Sequence, residues 1–187
     1  MKEDISEDNE IQFSEEKAGE TMSLKEIEIE ESSAQLACLL NGIWHSTLPK
    51  IHWSNVVRNT HYVCYVFKYK GALLGVAIWS SPVAANRMRD GRHILELRRL
   101  ALSNACPKNT ATRVLAKMIK RIKVKFPDIN KLVSYQDEDA HLGTIYKAGN
   151  WRVAKQVPLM LWNTKTRKRN DLQSHSNKIR WEYDLRK

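Results

Sequence analysis

The chain has 187 residues, 42% of them hydrophobic, and a formal net charge of +10, which suits one domain with a real core and a tail. It shows no secretory signal, no apolar run of eighteen and no CxxC pair among three widely spaced cysteines, so the expectation is a soluble cytoplasmic protein without a disulfide framework or structural zinc. The charge is divided, with twelve Asp/Glu against three Lys/Arg in residues 1–33, leaving 28 basic and 9 acidic residues in 34–187. A domain this basic points to a polyanionic partner, most simply nucleic acid.

Residues 1–22 are rich in Glu, Asp and Ser with few apolar anchors, and are expected to be a disordered acidic arm. One role open to such an arm is to mimic nucleic acid over the basic face. Lys25–Glu30 alternates in period two and predicts a half-buried strand. Ser32 or Ser33 caps a helix with Leu36, Leu39, Leu40 and Ile43 on one face, ended near Pro49. His61–Phe67 and Ala72–Trp79 are strand runs joined by the hairpin signal Lys68-Tyr69-Lys70-Gly71. A polar connection follows, then a strand over His93–Leu102. Strict alternation there puts Ile94, Glu96, Arg98 and Leu100 on one face, and Leu95, Leu97, Arg99 and Ala101 on the other.

After the loop Asn104–Asn109, Thr110 offers a cap for a helix over Ala111–Phe126. Its apolar stripe is Val114, Leu115, Met118, Ile119 and Ile122, and Pro127 stops it. Lys131–Tyr135 reads as a strand, Gly143–Ala148 as a short helix, and Trp151–Val153 and Pro158–Trp162 as strands. Residues 163–187 read as a basic extension outside a domain spanning 23–162. The order predicts an α/β fold, a mixed sheet covered by helices.

In such a sheet the ligand crevice lies where neighbouring strands diverge, beside the start of a helix whose free N–H groups suit phosphate. Lys108, Asn109, Thr110 and Arg113 are the candidate anion ligands there. Glu96, Asp137 and Tyr146 are the candidate proton-handling groups, and by parity Arg98, not Arg99, lines the crevice with Glu96. Ser134 and Gln136 share one face of their strand, Tyr135 and Asp137 the other. Arg98, Ser134, Asp137 and Tyr146 are expected to line one pocket. His141, just before the short helix, is a candidate base or metal ligand, whereas His45, His52 and His61 lack chelate spacing. Lys165, Arg167, Lys168 and Arg169 would track phosphates, with Trp44, Trp53, Trp79, Trp162 and Trp181 available to stack on bases or, more simply, to fill the core.

The succession from Leu95 to Trp151, closing on Tyr146-Lys147-Ala148-Gly149-Asn150-Trp151, resembles the cofactor-binding half of the N-acetyltransferase-like (GNAT) superfamily. That superfamily usually carries Gln/Arg-x-x-Gly-x-Gly/Ala before the helix, and this loop has no glycine. Glu96–Ala101, Ala105–Thr110, Val133–Asp137 and His141–Ala148 together resemble the Mom-like family, phage and mobile-element proteins that modify adenine in DNA to a carbamoylmethyl derivative and so protect it from restriction. The resemblance implies a mostly antiparallel GNAT-like sheet in a single domain, a transferase acting on duplex DNA, and a role for Tyr146 in protonating a departing thiolate. Acetyl-CoA or another acyl-CoA and a metal such as iron are the candidate cofactors, and the oligomeric state is open, a dimer included. An acyl-CoA-dependent N-acetyltransferase of a small amine or protein and a non-enzymatic basic DNA-binding protein are the alternatives.

Overall fold

A computed structural model describes residues 22–45, 48–82, 93–158 and 176–186. Its elements in chain order are β1 (Glu28–Ser32), α1 (Ala34–Trp44), α2 (Ser54–Val57), β2 (Tyr62–Tyr69), β3 (Ala72–Ser80), β4 (Ile94–Leu102), α3 (Thr110–Lys125), β5 (Lys131–Asp137), α4 (Thr144–Ala148), β6 (Arg152–Val157) and β7 (Lys178–Asp184). The strands form one seven-stranded sheet in the order β1-β2-β3-β4-β5-β7-β6. Among the described residues only the β4–β5 pair is parallel; every other neighbour is antiparallel. The expected mixed, mostly antiparallel α/β sheet flanked by helices is what forms.

Local chemistry explains most of these elements. Lys70 (φ 47°) and Gly71 (φ 85°) both take left-handed conformations, the two-residue turn that matches the twist of the β2–β3 hairpin. Ser33 caps α1 by accepting the Leu36 N–H at 3.2 Å. On α3, the expected stripe of Val114, Leu115, Met118, Ile119 and Ile122 is buried. It closes a large core with Ile27, Tyr65, Phe67, Leu74, Trp79, Leu95 and Leu132 on one face of the sheet. A second apolar layer, with Cys64, Val66, Val76, Ile78 and Ala101, lies on the other face under α1.

Three expectations are corrected. On α1 only Leu40 of the expected stripe is buried; Leu39 and Ile43 are 55% and 53% exposed. The helix instead turns Ala34, Ala37, Leu40 and Asn41 to the sheet, because small residues let it lie close. Thr110 does not cap α3: its hydroxyl donates to the Pro107 carbonyl at 2.7 Å, and Asn109 occupies the cap position. The domain does not end at residue 162. Residues 178–184 form β7, inserted between β5 and β6 with Trp181 buried in the main core, so the C-terminal stretch is part of the sheet. The expected acidic arm, apart from Met22, and most of the expected strand Pro158–Trp162 lie outside the described residues.

Candidate functional site

Strands β4 and β5 pair only from Ile94↔Lys131 to Leu97↔Ser134. Beyond that point β4 continues to Leu102 bound to β3 alone, and β5 continues to Asp137 bound to β7 alone. The two strands therefore part at Leu97 and Ser134, opening a crevice in the middle of the sheet. The loop leading into α3 follows directly from the end of β4.

A β-bulge sits at this point. Ile78 faces Arg99 and Trp79 faces Leu97, so Arg98 is the extra residue in β4. The bulge shifts the alternation that strict parity predicts. Leu95 and Leu97 before it, and Leu100 and Leu102 after it, all join the α3-side core. Arg98 and Arg99 then both project to the α1–α2 side. Arg98 Nη1 donates to the Asn55 carbonyl at 3.4 Å, and Arg99 Nη2 to the Pro49 carbonyl at 3.3 Å. Burial lowers both guanidinium pKa values, and for Arg99 the neighbouring Arg98 charge adds to it; Glu96 acts the other way, which places it beside them. Parity alone selects Arg98 over Arg99; the bulge delivers both.

On the opposite, α3–α4 side lies the second group. Ser134 Oγ and Tyr146 Oη are 2.8 Å apart, both side chains buried. Tyr146 stacks on Trp181 at 5.4 Å and meets Trp151 edge-on at 5.5 Å. Burial pushes the Tyr146 phenol above its ordinary value, with the Ser134 hydrogen bond pulling the other way. Trp181 Nε1 donates to Gln136 Oε1 at 2.8 Å, and Gln136 Nε2 donates to the His141 carbonyl at 2.5 Å. This amide ties β5, β7 and the entry to α4 together. Gly143 is required here: its φ is +67°, and a Cβ would run into Gln136 Oε1 and Trp181.

The expected pocket is thus two groups next to the parting point of β4 and β5. Ser134 and Tyr146 are joined directly. Glu96, Arg98 and Arg99 gather on the other face, and Asp137 belongs to that face by alternation along β5. Asp137 also shapes the turn after β5, accepting the Asp139 N–H at 3.1 Å. Sequence reasoning missed His45, which follows α1. Burial, then Arg99, then His141 lower its pKa, so the imidazole is neutral at pH 7 and His141 lies near it across the site. Its spacing carries no signal, because the bulge and the end of α1 bring the partners together.

The loop before α3 makes a left-handed turn without a glycine. Asn109 adopts φ 71°, ψ 4°, the left-handed conformation that asparagine tolerates best after glycine. The Thr110 N–H turns back to Pro107 and the Arg113 N–H to Asn109, while no backbone bond is found for the N–H groups of Ala111 and Thr112. Lys108 and Arg113 are exposed around this helix start. Free N–H groups at a helix start suit an anion in general. Burial raises the Cys106 pKa, and its Sγ donates to the Leu74 carbonyl at 3.3 Å.

His141 is exposed, and among the described residues no group of three or more His, Cys, Asp or Glu is placed to hold a metal ion. Lys165, Arg167, Lys168, Arg169 and Trp162 lie outside the described residues. Trp79 and Trp181 are core residues, and Trp53 is exposed at 39%. Among the described residues no helix is long and apolar enough to cross a membrane.

The sequence profile of the Mom protein family matches residues 45–184, well over half of the chain. The chain is 27% identical over 135 residues to the methylcarbamoylase Mom of Escherichia phage Mu, covering 68% of this chain and 53% of that one. It therefore spans about half the length of the curated relative it matches. Among solved structures it is similar to a GNAT family acetyltransferase from Elizabethkingia anophelis with acetyl-CoA bound (TM-score 0.61, 14% identity, 85% of this chain and 98% of that one). It is also similar to an N-acetyltransferase from Staphylococcus aureus Mu50 (TM-score 0.60, 18% identity, 85% and 98%) and to the ribosomal-protein-S18-alanine N-acetyltransferase from Escherichia coli (TM-score 0.59, 11% identity, 85% and 94%). At such identities the likeness establishes the GNAT fold.

Proposed function

The chain belongs to the Mom protein family, and on that premise we propose that it is a transferase that modifies the exocyclic amine of adenine in DNA. The group transferred is carbamoylmethyl, in line with the methylcarbamoylase name of the phage Mu relative; the product would shield DNA from restriction. The observation that carries the reading is the buried Ser134–Tyr146 hydroxyl pair beside the point where β4 and β5 part.

Adenine's exocyclic nitrogen is a poor nucleophile, so the protein must desolvate it, hold it against an electrophile and manage its proton. In duplex DNA the base must first leave the stack, at a cost of a few kcal/mol. His45, neutral at pH 7, takes the proton from the amine on the Arg98–Arg99 side. Tyr146 keeps its proton at that pH, because burial raises its pKa, and donates it to the leaving group of the donor. Ser134 orients that hydroxyl, and Trp181 fixes the ring. Glu96 and Asp137 set the charge facing the arginines. Phosphate contacts from Lys165, Arg167, Lys168 and Arg169 hold the strand.

An acyl-CoA would supply an activated acyl group that forms an amide, not a carbamoylmethyl amine, so as a donor it serves acetyl transfer. Lys108, Arg113 and the N–H groups of Ala111 and Thr112 would hold its pyrophosphate, with Asn109 shaping the loop. The left-handed Asn109 also favours a second reading, an acyl-CoA-dependent N-acetyltransferase of a small amine or protein.

Nucleoside mass spectrometry of plasmid DNA from cells expressing the chain tests the leading reading. A new mass on deoxyadenosine is expected, absent with Tyr146→Phe. Unmodified nucleosides from a host able to supply the donor would overturn it, and tight coenzyme A binding without DNA would transfer support to the second.

A further inference from the structure

We propose that the acidic segment 1–21 docks along the outer face of α3 and competes there with any other polyanion. Helix α3 carries Arg113, Lys117, Lys120, Arg121, Lys123 and Lys125 in sixteen residues and no acid at all. With Val114, Leu115, Met118, Ile119 and Ile122 turned to the core, these cations spread over the opposite arc, where Arg113, Lys120, Arg121 and Lys123 are exposed. Like charges three and four residues apart repel, and Arg113 near the N-terminus also opposes the helix dipole. Nothing on the helix itself offsets this, so the face suits an anionic segment from elsewhere.

The chain supplies that segment and delivers it to the right place. Residues 1–21 contain eight Asp/Glu against two Lys. Met22 and Leu24, where the described chain begins, pack against the core that α3 closes. Lys117 Nζ then donates to the Ile27 carbonyl at 2.5 Å, and Lys125 pairs with Glu31 at 2.7 Å. Eight helical residues rise about 12 Å and four strand residues about 13 Å, so β1 runs alongside α3 in step. A turn closed by the Glu26 N–H on the Ser23 carbonyl lies just before β1. The acidic segment is therefore tethered at the flank of α3, where tethering raises its effective concentration to the millimolar range. The face also lies across the sheet from Glu96, Arg98 and Arg99, so its charges are not committed to that group.

Zero-length carbodiimide coupling of the full-length chain reads the docking directly, and does not depend on the DNA reading. At about 50 mM salt, Glu15, Glu16 and Glu20 should couple to Lys120 and Lys123, and the products should vanish at about 500 mM. Coupling spread equally over Lys50, Lys131 and Lys155, or absent, overturns the proposal. Competition is read with a fluorescent duplex of about 20 base pairs: the full-length triple variant Glu15→Gln, Glu16→Gln, Glu20→Gln should bind about tenfold more tightly than the parent at low salt and less than twofold more tightly at high salt. Equal affinity at low salt overturns the competition. A chain that couples as expected but binds no DNA sustains the docking and removes the DNA reading alone.

Discussion

Strands β2 to β4 lie between two apolar layers, whereas the layer under α1 stops at β4 and leaves β5, β7 and β6 with a different construction. The first region is filled by Tyr65, Phe67, Leu74, Ile78 and Trp79, all fully buried. The second buries polar groups instead: Ser134 on Tyr146, Gln136 on Trp181 and on the His141 carbonyl, and Glu182 among Arg180, Lys131 and Arg152. Apolar packing tolerates many arrangements of similar volume, but a paired polar group accepts few, because a lost partner costs its full desolvation. The first region stabilises the fold; the second fixes one geometry, and the crevice opens on their boundary.

That contrast breaks most severely at α3. Leu115→Ala should cost about 3–4 kcal/mol in urea unfolding, since Leu115 is fully buried and the cavity cannot collapse under a helix held along its length. A loss below about 1 kcal/mol would mean the layer repacks freely. Gly143→Ala comes next. The left-handed backbone and the clash with Gln136 Oε1 should cost about 2 kcal/mol, while activity falls further, because α4 carries Tyr146. Activity falling only in proportion to folded protein would show that Gln136 does not position Tyr146.

Glu182→Gln is the milder probe of the polar region. Its carboxylate lies 2.9 Å from Arg180, 3.4 Å from Lys131 and 3.6 Å from Arg152, and the substitution leaves three like charges around a neutral amide. Arg152 is mostly exposed and screened, so about 1 kcal/mol of stability is expected to be lost in thermal unfolding, more at low salt than at high. An equal loss at both salt concentrations would assign the effect to packing.

The same division governs what the sequence discloses. The apolar stripe of α3, the Lys70-Gly71 hairpin and the alternation of Ser134 and Gln136 against Tyr135 follow from periodicity, and all are found. The face of α1 does not, because Leu39 and Ile43 are apolar yet turned outward while alanines approach the sheet. Strand β7 was legible in the alternation of Ile179, Trp181 and Tyr183, but the charged residues between them give the stretch the composition of a tail. The bulge at Arg98 leaves no periodic trace, so a strict two-residue repeat sends one arginine to the wrong face. Tyr146 is found by its motif, while its stacking on Trp181 depends on a strand thirty-five residues further along the chain.

His45 offers the finest test, because it couples the end of α1 to the entry of α4 across that boundary. Burial, Arg99 and His141 all hold its pKa below the ordinary 6.5. A lowered folded-state pKa means that protonation favours unfolding, so stability falls as pH drops from about 6.5 towards the folded value. With His45 taking the amine proton as proposed, the neutral imidazole is the working form, so the acid limb of the pH profile should lie below 6.5. His141→Gln removes one of the positive charges that lower the His45 pKa, and the acid limb should then move to higher pH while the rate at pH 8 is unchanged. His45→Gln should remove the limb along with most of the activity. A limb unmoved by His141→Gln would separate the two histidines and leave burial and Arg99 as the groups that keep His45 neutral.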